Sequence, residues 1–196
     1  CTIADIRKAK PRSRSTGEGQ VLQDPYPFDK ARIVVREMVD TVSMALVEHE
    51  LVCNGLVLTV GYDRENVDKG TYHGETVQDF YGRTVPKPAH GTANIGYYTS
   101  SQTVMADAVM KLFDRIVDPA LTVRRLNLVA TDIVDEKNRG FDLFTDVQKQ
   151  EREKKRQKAE LLIKKRFGKN AIVKGMDLQE GATTIERNGQ IGGHRA

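Results

Sequence analysis

Phosphoryl and nucleotidyl transfer by the two-metal route needs clustered carboxylates that hold two cations about 4 Å apart. Only one adjacent acidic pair exists in this chain, Asp135-Glu136. Neighbouring residues on a strand point to opposite faces, so this pair alone builds no such cluster. The histidines, His49, His73, His90 and His194, are scattered, and Cys1 and Cys53 are the only cysteines. None of these has the spacing of a zinc site. There is no GxGxxG loop, no Walker lysine loop and no GxSxG elbow. The residues suited to anion binding are different ones. Arg124-Arg125 enters a β-rich run, and arginine forks grip phosphate in a bidentate manner. Water or carboxylates would serve equally as partners for two edge arginines. Ser13-Arg14-Ser15-Thr16-Gly17 combines hydroxyls, a cation and a glycine, a mixture able to contact phosphates or simply to turn the chain. Asn94-Ile95-Gly96-Tyr97-Tyr98 is a poor match to the Gly-aromatic strand of RNA-binding sheets.

The elements that must position these residues follow from periodicity. Tyr26-Pro27-Phe28-Asp29 reads as a helix start with Asp29 as N-cap. Ala31, Val34, Val35, Met38, Val39, Val42 and Leu46 then recur at helical spacing up to about His49. Residues 56–62 form a strand, residues 63–88 a polar excursion or hairpin, and residues 90–98 a second strand. Ser100 or Ser101 caps a second amphipathic helix that Asp118-Pro119 ends. Residues 123–134 form the last strand, with Leu126 and Leu128 on one face and Arg125, Asn127 and Val129 on the other. With residues 13–24 as an extended segment, the order is the split βαββαβ arrangement. This is an α+β fold in which two helices cover one face of a four-stranded antiparallel sheet and the other face stays open.

The chain has 196 residues, with 39 % hydrophobic and 30 % charged residues. No apolar run approaches the roughly 18 residues of a membrane span, so no membrane partner is expected. Two cysteines suit a reducing, cytoplasmic setting. The net charge is +4, but residues 145–169 hold 10 Lys or Arg against 4 Asp or Glu. The first 144 residues hold 18 basic against 20 acidic ones. The basic character therefore belongs to one segment, and global charge says nothing about the sheet. The expected organisation is a connector over 1–12, a core domain over 13–135 and an exit segment over 136–145. A charged helix over 146–168 and a Gly-rich tail over 169–196 follow. In that helix the apolar residues gather at Leu161, Leu162, Ile163 and Phe167, so its first half is expected to be solvated.

The blocks SRSTGEGQVL, PYPFDKARIVVREM, LVLTVGYDREN, HGTANIGYYTSSQTVMADAVMKLFDRIVDP and LTVRRLNLVATDIVDE resemble the little-finger domain of Y-family translesion DNA polymerases. The likeness is strongest to the UmuC-like UV-damage-repair branch of Gram-positive bacteria. The start CTIADIRKAKP resembles the connector after the thumb, and EGATTIERNGQIGGHRA resembles the C-terminus of that branch. The resemblance implies a nucleoid-associated polymerase in which palm, fingers and thumb precede Cys1. Mg²⁺ and dNTPs would be handled there, and this fragment would have no cofactor and be inactive alone. It implies primer-template DNA as partner, with Ser13, Arg14, Ser15, Gly17, Thr92, Asn94, Arg124 and Arg125 as contacts. Gly140-Phe141-Asp142-Leu143-Phe144 is similar to the family's sliding-clamp peptide, with Gly140 where that motif has Gln. Phe141, Leu143 and Phe144 would then enter a pocket of the clamp. A protein-interaction module and a βαββαβ RNA-binding domain are the alternatives.

Overall fold

The computed structural model describes residues 14–70, 72–138, 147–191 and 194–195. Strand β1 (Thr16–Tyr26) leads into helix α1 (Phe28–Glu48), then strand β2 (Leu51–Tyr62). A short helix α2 (Glu65–Asp68) and the hairpin β3 (Thr76–Gln78) and β4 (Thr84–Pro86) follow. Strand β5 (Ala89–Thr99), helix α3 (Gln102–Ile116) and strand β6 (Val123–Thr131) complete the βαββαβ order. The strands lie in the order β1-β6-β2-β5, and every pairing is antiparallel. The short β7 (Val134–Asp135) pairs with the start of β2.

Alternation decides which face is dry. Leu56, Leu58 and Val60 of β2 and Leu126, Leu128 and Ala130 of β6 are buried beneath α1 and α3. Val34, Val35, Met38, Val39 and Val42 come down from α1, and Met105, Val109, Leu112 and Phe113 from α3. Phe28 packs against Phe113 in a tilted pair, 4.9 Å between ring centroids. Arg32 ties the two helices at their outer edge, donating from Nε and Nη2 to the Asp114 carboxylate at 2.8 and 3.0 Å. Gly91 lies under α3, where a Cβ would sit 2.9 Å from a Leu112 methyl, so the helix comes close to β5 at this point.

Several boundaries differ from the periodicity reading. The cap of α1 is Pro27, in extended conformation and with no side-chain bond, whereas Asp29 lies inside the first turn. There its carboxylate still meets the positive end of the helix dipole. β2 starts at Leu51 rather than Leu56, because Cys53 also pairs with β5 and Val52 with β7. The last strand ends at Thr131, where Asp132 takes a positive φ, and β7 follows as a separate piece. Ser101 does cap α3, its Oγ accepting from the Val104 N–H at 3.3 Å.

Helix α4 (Val147–Phe167) docks through polar groups, contrary to the expectation from its apolar residues. Leu162 and Phe167 are 69 % and 67 % exposed. The first half makes the seat instead. Glu153 accepts from Ser101 Oγ at 2.6 Å and from the Thr103 N–H and hydroxyl at 3.0 Å each. This sets a carboxylate at the N-terminus of α3, where the backbone favours negative charge. Buried Gln157 donates to Ser43 Oγ of α1 at 2.7 Å and to the Ser100 carbonyl at 3.3 Å. Lys165 pairs with Glu48 at 2.8 Å, and Lys154 with Glu136. α1 and the start of α3 offer polar groups here, so a polar helix is the complementary one.

The tail also packs on α1 and the outer edge of β1. Glu37 is only 2 % exposed in the middle of α1. Its carboxylate accepts from the Thr183 N–H (2.8 Å), the Thr183 hydroxyl (3.0 Å) and the Thr184 N–H (3.0 Å) at the start of α5 (Thr184–Arg187). Lys174 reaches Asp40, and Arg187 reaches Glu18 at 2.5 Å.

Cys53 sits in the core, and burial pushes its thiol up to about 12. It stays a thiol at pH 8, and the thiolate is the reactive form. Iodoacetamide on the folded protein at pH 8 is expected to leave the Cys53 peptide unmodified by mass spectrometry. Full modification appears only once denaturant is added.

Candidate nucleic-acid interface

The uncovered face of the sheet is built in rows by the strand register. At one end, Arg125 lies opposite Val21 of β1 and Gly61 of β2. The next row runs Gly19, Asn127, Thr59, His90, and the third runs Gly17, Val129, Val57, Thr92. The fourth is Thr131, Gly55, Asn94. Adjacent strands lie about 4.8 Å apart and alternate residues about 6.8 Å, so the four rows cover roughly 14 by 20 Å.

The composition of these rows sets them apart. Four are glycines, one is arginine, one histidine, and the rest are Thr, Asn and Val. None is a carboxylate, although the first 144 residues carry 20 of them. Glycine removes the side chain that would hold another backbone away from the sheet. A Cβ on Gly17 would lie 2.6 Å from the Leu128 carbonyl oxygen and 2.9 Å from a Val129 methyl. A Cβ on Gly55 would lie 2.5 Å from Thr131 Oγ1. Neighbouring side chains thus fold over these positions and leave the face low. Thr59 and His90 are joined at 2.9 Å between Oγ1 and Nδ1, which fixes the imidazole in the middle of the face. Asn54 accepts from the Gly96 N–H at 2.9 Å, where β5 shifts register between Asn94 and Thr99.

Of the positions singled out in sequence, Gly17, Thr92, Asn94 and Arg125 come together here. Gly17 and Thr92 share one row, with Val129 and Val57 between them. Arg125 is exposed and, among the described residues, has no carboxylate partner. Arg124 differs. Strict alternation would turn it to the core, but the register shifts between Gly61 and Tyr62, leaving it as an extra residue. It lines the same cleft as Arg125, with its Nε 3.7 Å from Asp63. Arg14 pairs with Asp135 at 3.1 Å just before the start of β1, and Ser15 beside it is exposed. Ser13, Phe141, Leu143 and Phe144 lie outside the described residues.

Sequence reasoning did not single out Gly19, Gly55, Thr59, Gly61, His90 or Asn127. The signal for Asn127 was present in the alternation of β6. The others join the face only through pairing between distant strands. Among the described residues, no group of three or more His, Cys, Asp or Glu could hold a metal ion. The donor set here therefore does not fit a two-metal centre. No helix among the described residues is long and apolar enough to cross a membrane.

The residues that build this sheet and its two helices fall within the match to the impB/mucB/samB family C-terminal domain, which spans residues 13–143. The chain belongs to this family. It is a C-terminal domain of the Y-family polymerase type. It is also 22 % identical over 185 residues to a protein named for UV-damage repair, UvrX of Bacillus subtilis (strain 168). That match takes in 93 % of this chain and 39 % of the relative, so the chain spans well under half of the relative's length.

Proposed function

We propose that this chain is the DNA-gripping domain of an error-prone repair polymerase, laid with its open sheet face on the sugar–phosphate backbone of primer-template DNA. The observation that supports this reading is the face itself: its four rows hold hydroxyls, amides, glycines, valines, a histidine and an arginine that has no carboxylate partner among the described residues, and none of the row positions is a carboxylate. Contacts of that kind position a protein on a duplex without reading its sequence. A polymerase that must pass altered bases needs such tolerance. In this reading Arg125, Thr92, Asn94 and Gly17 meet phosphates directly, and Arg124 joins them after exchanging Asp63 for a phosphate. Ser13, Arg14 and Ser15 extend the same path at the start of β1. Nucleotide transfer with Mg²⁺ and dNTPs would belong to other parts of a longer polymerase. The sliding clamp is a second proposed partner, through Phe141, Leu143 and Phe144.

Ala at Arg125 is expected to weaken binding of primer-template DNA about equally across sequences and to lower the salt slope by roughly one. Ala at Arg124 is expected to do less, since that guanidinium already has a partner. Melting temperature should hardly move, because exposed charges contribute little stability. Fluorescence anisotropy against a salt series measures both. Unchanged affinity and slope in the double variant would remove the sheet face as the DNA site.

A further inference from the structure

The hairpin β3–β4 carries two aromatic residues that contribute nothing to the core. Phe80 is 92 % exposed and Tyr81 69 %, side by side at the tip, edge to face at 5.4 Å between centroids. The tip is held in shape from beneath. Asp79 Oδ1 accepts from the Tyr81 and Arg83 N–H groups at 2.9 Å each. Oδ2 accepts from Arg83 Nε and Nη2 at 2.8 and 2.6 Å. These bonds, with that from the Arg83 side chain the largest influence, hold the Asp79 carboxyl down at about 2. The Arg83 guanidinium in turn lies 4.9 Å over the Tyr81 ring. At the foot of the hairpin, Lys87 pairs with Glu75 at 2.8 Å.

The tip overlooks a cleft of about 590 Å³. The floor is the end row of the open face, Val21, Arg125 and Gly61, and the wall is the hairpin with Val77, Phe80 and Arg83. The carboxylates lining it are already matched: Asp63 with Arg124, Asp68 with Arg64, Glu65 with Lys69 and Asp79 with Arg83. In the free chain each of these carboxylates thus has a cation beside it, and Arg125 has none of them as partner; a phosphate that takes Arg124 must displace Asp63.

We infer that Phe80 and Tyr81 form a stacking platform for an unpaired nucleobase of a strand whose phosphates lie on Arg124 and Arg125. The inference rests on the DNA-binding reading above and adds a site to it. Aromatic side chains beside cations that track the backbone are how single-stranded nucleic acid is held without sequence preference, and the cations nearest the floor of this cleft are Arg124 and Arg125. Bases within a duplex show no free face, so the partner is the unpaired strand at a single-strand/duplex junction. A protein partner would also use exposed aromatics, but continuity with the arginine floor favours nucleic acid.

The chain has no tryptophan, so Phe80→Trp gives a single-tryptophan protein whose emission reports the tip. Two probes are compared: a duplex with a 5′ single-stranded overhang, and the same duplex blunt-ended. Quenching by the junction and not by the blunt duplex is the expected result. Replacing both Phe80 and Tyr81 with Ala is expected to weaken junction binding about tenfold or more and blunt binding less than twofold, with an unchanged circular dichroism melt. Anisotropy on labelled DNA runs in parallel. Binding by anisotropy without quenching, or equal loss for both probes in the Ala variant, overturns the platform while leaving the sheet-face reading intact. No anisotropy change with either probe overturns both. Emission that shifts with protein concentration and not with DNA overturns the platform in favour of a protein contact.

Discussion

Placing Glu at both Thr92 and Asn127 is expected to reduce affinity for primer-template DNA about 100-fold at low salt, with the fold unchanged. Thr92 sits in the third row of the open face and Asn127 in the second. Both are exposed. A carboxylate at either would face phosphate oxygens across a short gap, and like charges set against each other across an interface cost several kcal/mol. A 100-fold loss is about 2.7 kcal/mol, a moderate share of that. Within the protein the new charges would meet Gly19, Thr59 and Val57, so no internal repulsion arises. Exposed substitutions of this kind stay within about 0.5 kcal/mol in stability. Gln at the same two positions supplies the control for size and should lose less than tenfold. If Glu and Gln weaken binding equally, shape rather than charge governs the face. If neither does, DNA lies on another surface.

The parts of the fold that were legible in the sequence are those coded locally. Helical spacing from Ala31 to Leu46 and from Val104 to Ile116, the Ser101 cap and the alternation of β6 each depend on residues within a few positions. The antiparallel βαββαβ layout followed from their order. The open face was legible only as an existence statement. Which residues share a row depends on register, and register is set by pairings such as Gly17 with Val129 and Val57 with Thr92. A slip of one residue would exchange the faces, and nothing near Gly17 in sequence fixes it. Arg124 shows the limit most plainly. Alternation turns it toward the core, and only the register shift after Gly61 brings it into the cleft beside Arg125.

The seat of α4 was misread for a related reason. Hydrophobic periodicity finds helix faces that bury apolar surface, and α4 has none that is buried. It docks where α1 and the start of α3 leave hydrogen-bonding groups needing partners, and Gln157 and Glu153 supply them. Thr183 does the same for Glu37. Such matches are pairwise and specific, and neither partner is visible from the other in a linear sequence. Glu37, Asp40 and Ser43, polar residues spaced among the apolar positions of α1 and all buried, were the available hints that other segments must cover this helix.

Ending the chain after Asn138 is therefore expected to give a domain that folds but is weakened. The βαββαβ sheet, both core helices and Phe113 with its Phe28 contact remain. What goes is the polar cover: Glu153 on the α3 N-terminus, Gln157 on Ser43 and Ser100, and Thr183 and Thr184 on Glu37. Bonds to charged groups contribute roughly 1.5–3 kcal/mol each, but water replaces part of that once the tail is gone. A net loss of about 3 kcal/mol follows, a fall of roughly 10 °C in melting temperature for a domain of this size. Two substitutions in the whole chain separate the polar seat from an apolar one. Gln157→Ala leaves a buried serine pair with one fewer partner and is expected to cost about 1–2 kcal/mol. Ala at both Leu162 and Phe167, which are exposed, should change the melting temperature by less than about 2 °C for a stability change within 0.5 kcal/mol. Thermal melts followed by circular dichroism at 222 nm decide between them. A truncated chain that melts with the full one would mean that the tail's bonds add nothing in water. If the Leu162 and Phe167 pair costs as much as Gln157, the helix is held by its apolar residues and the polar seat is incidental.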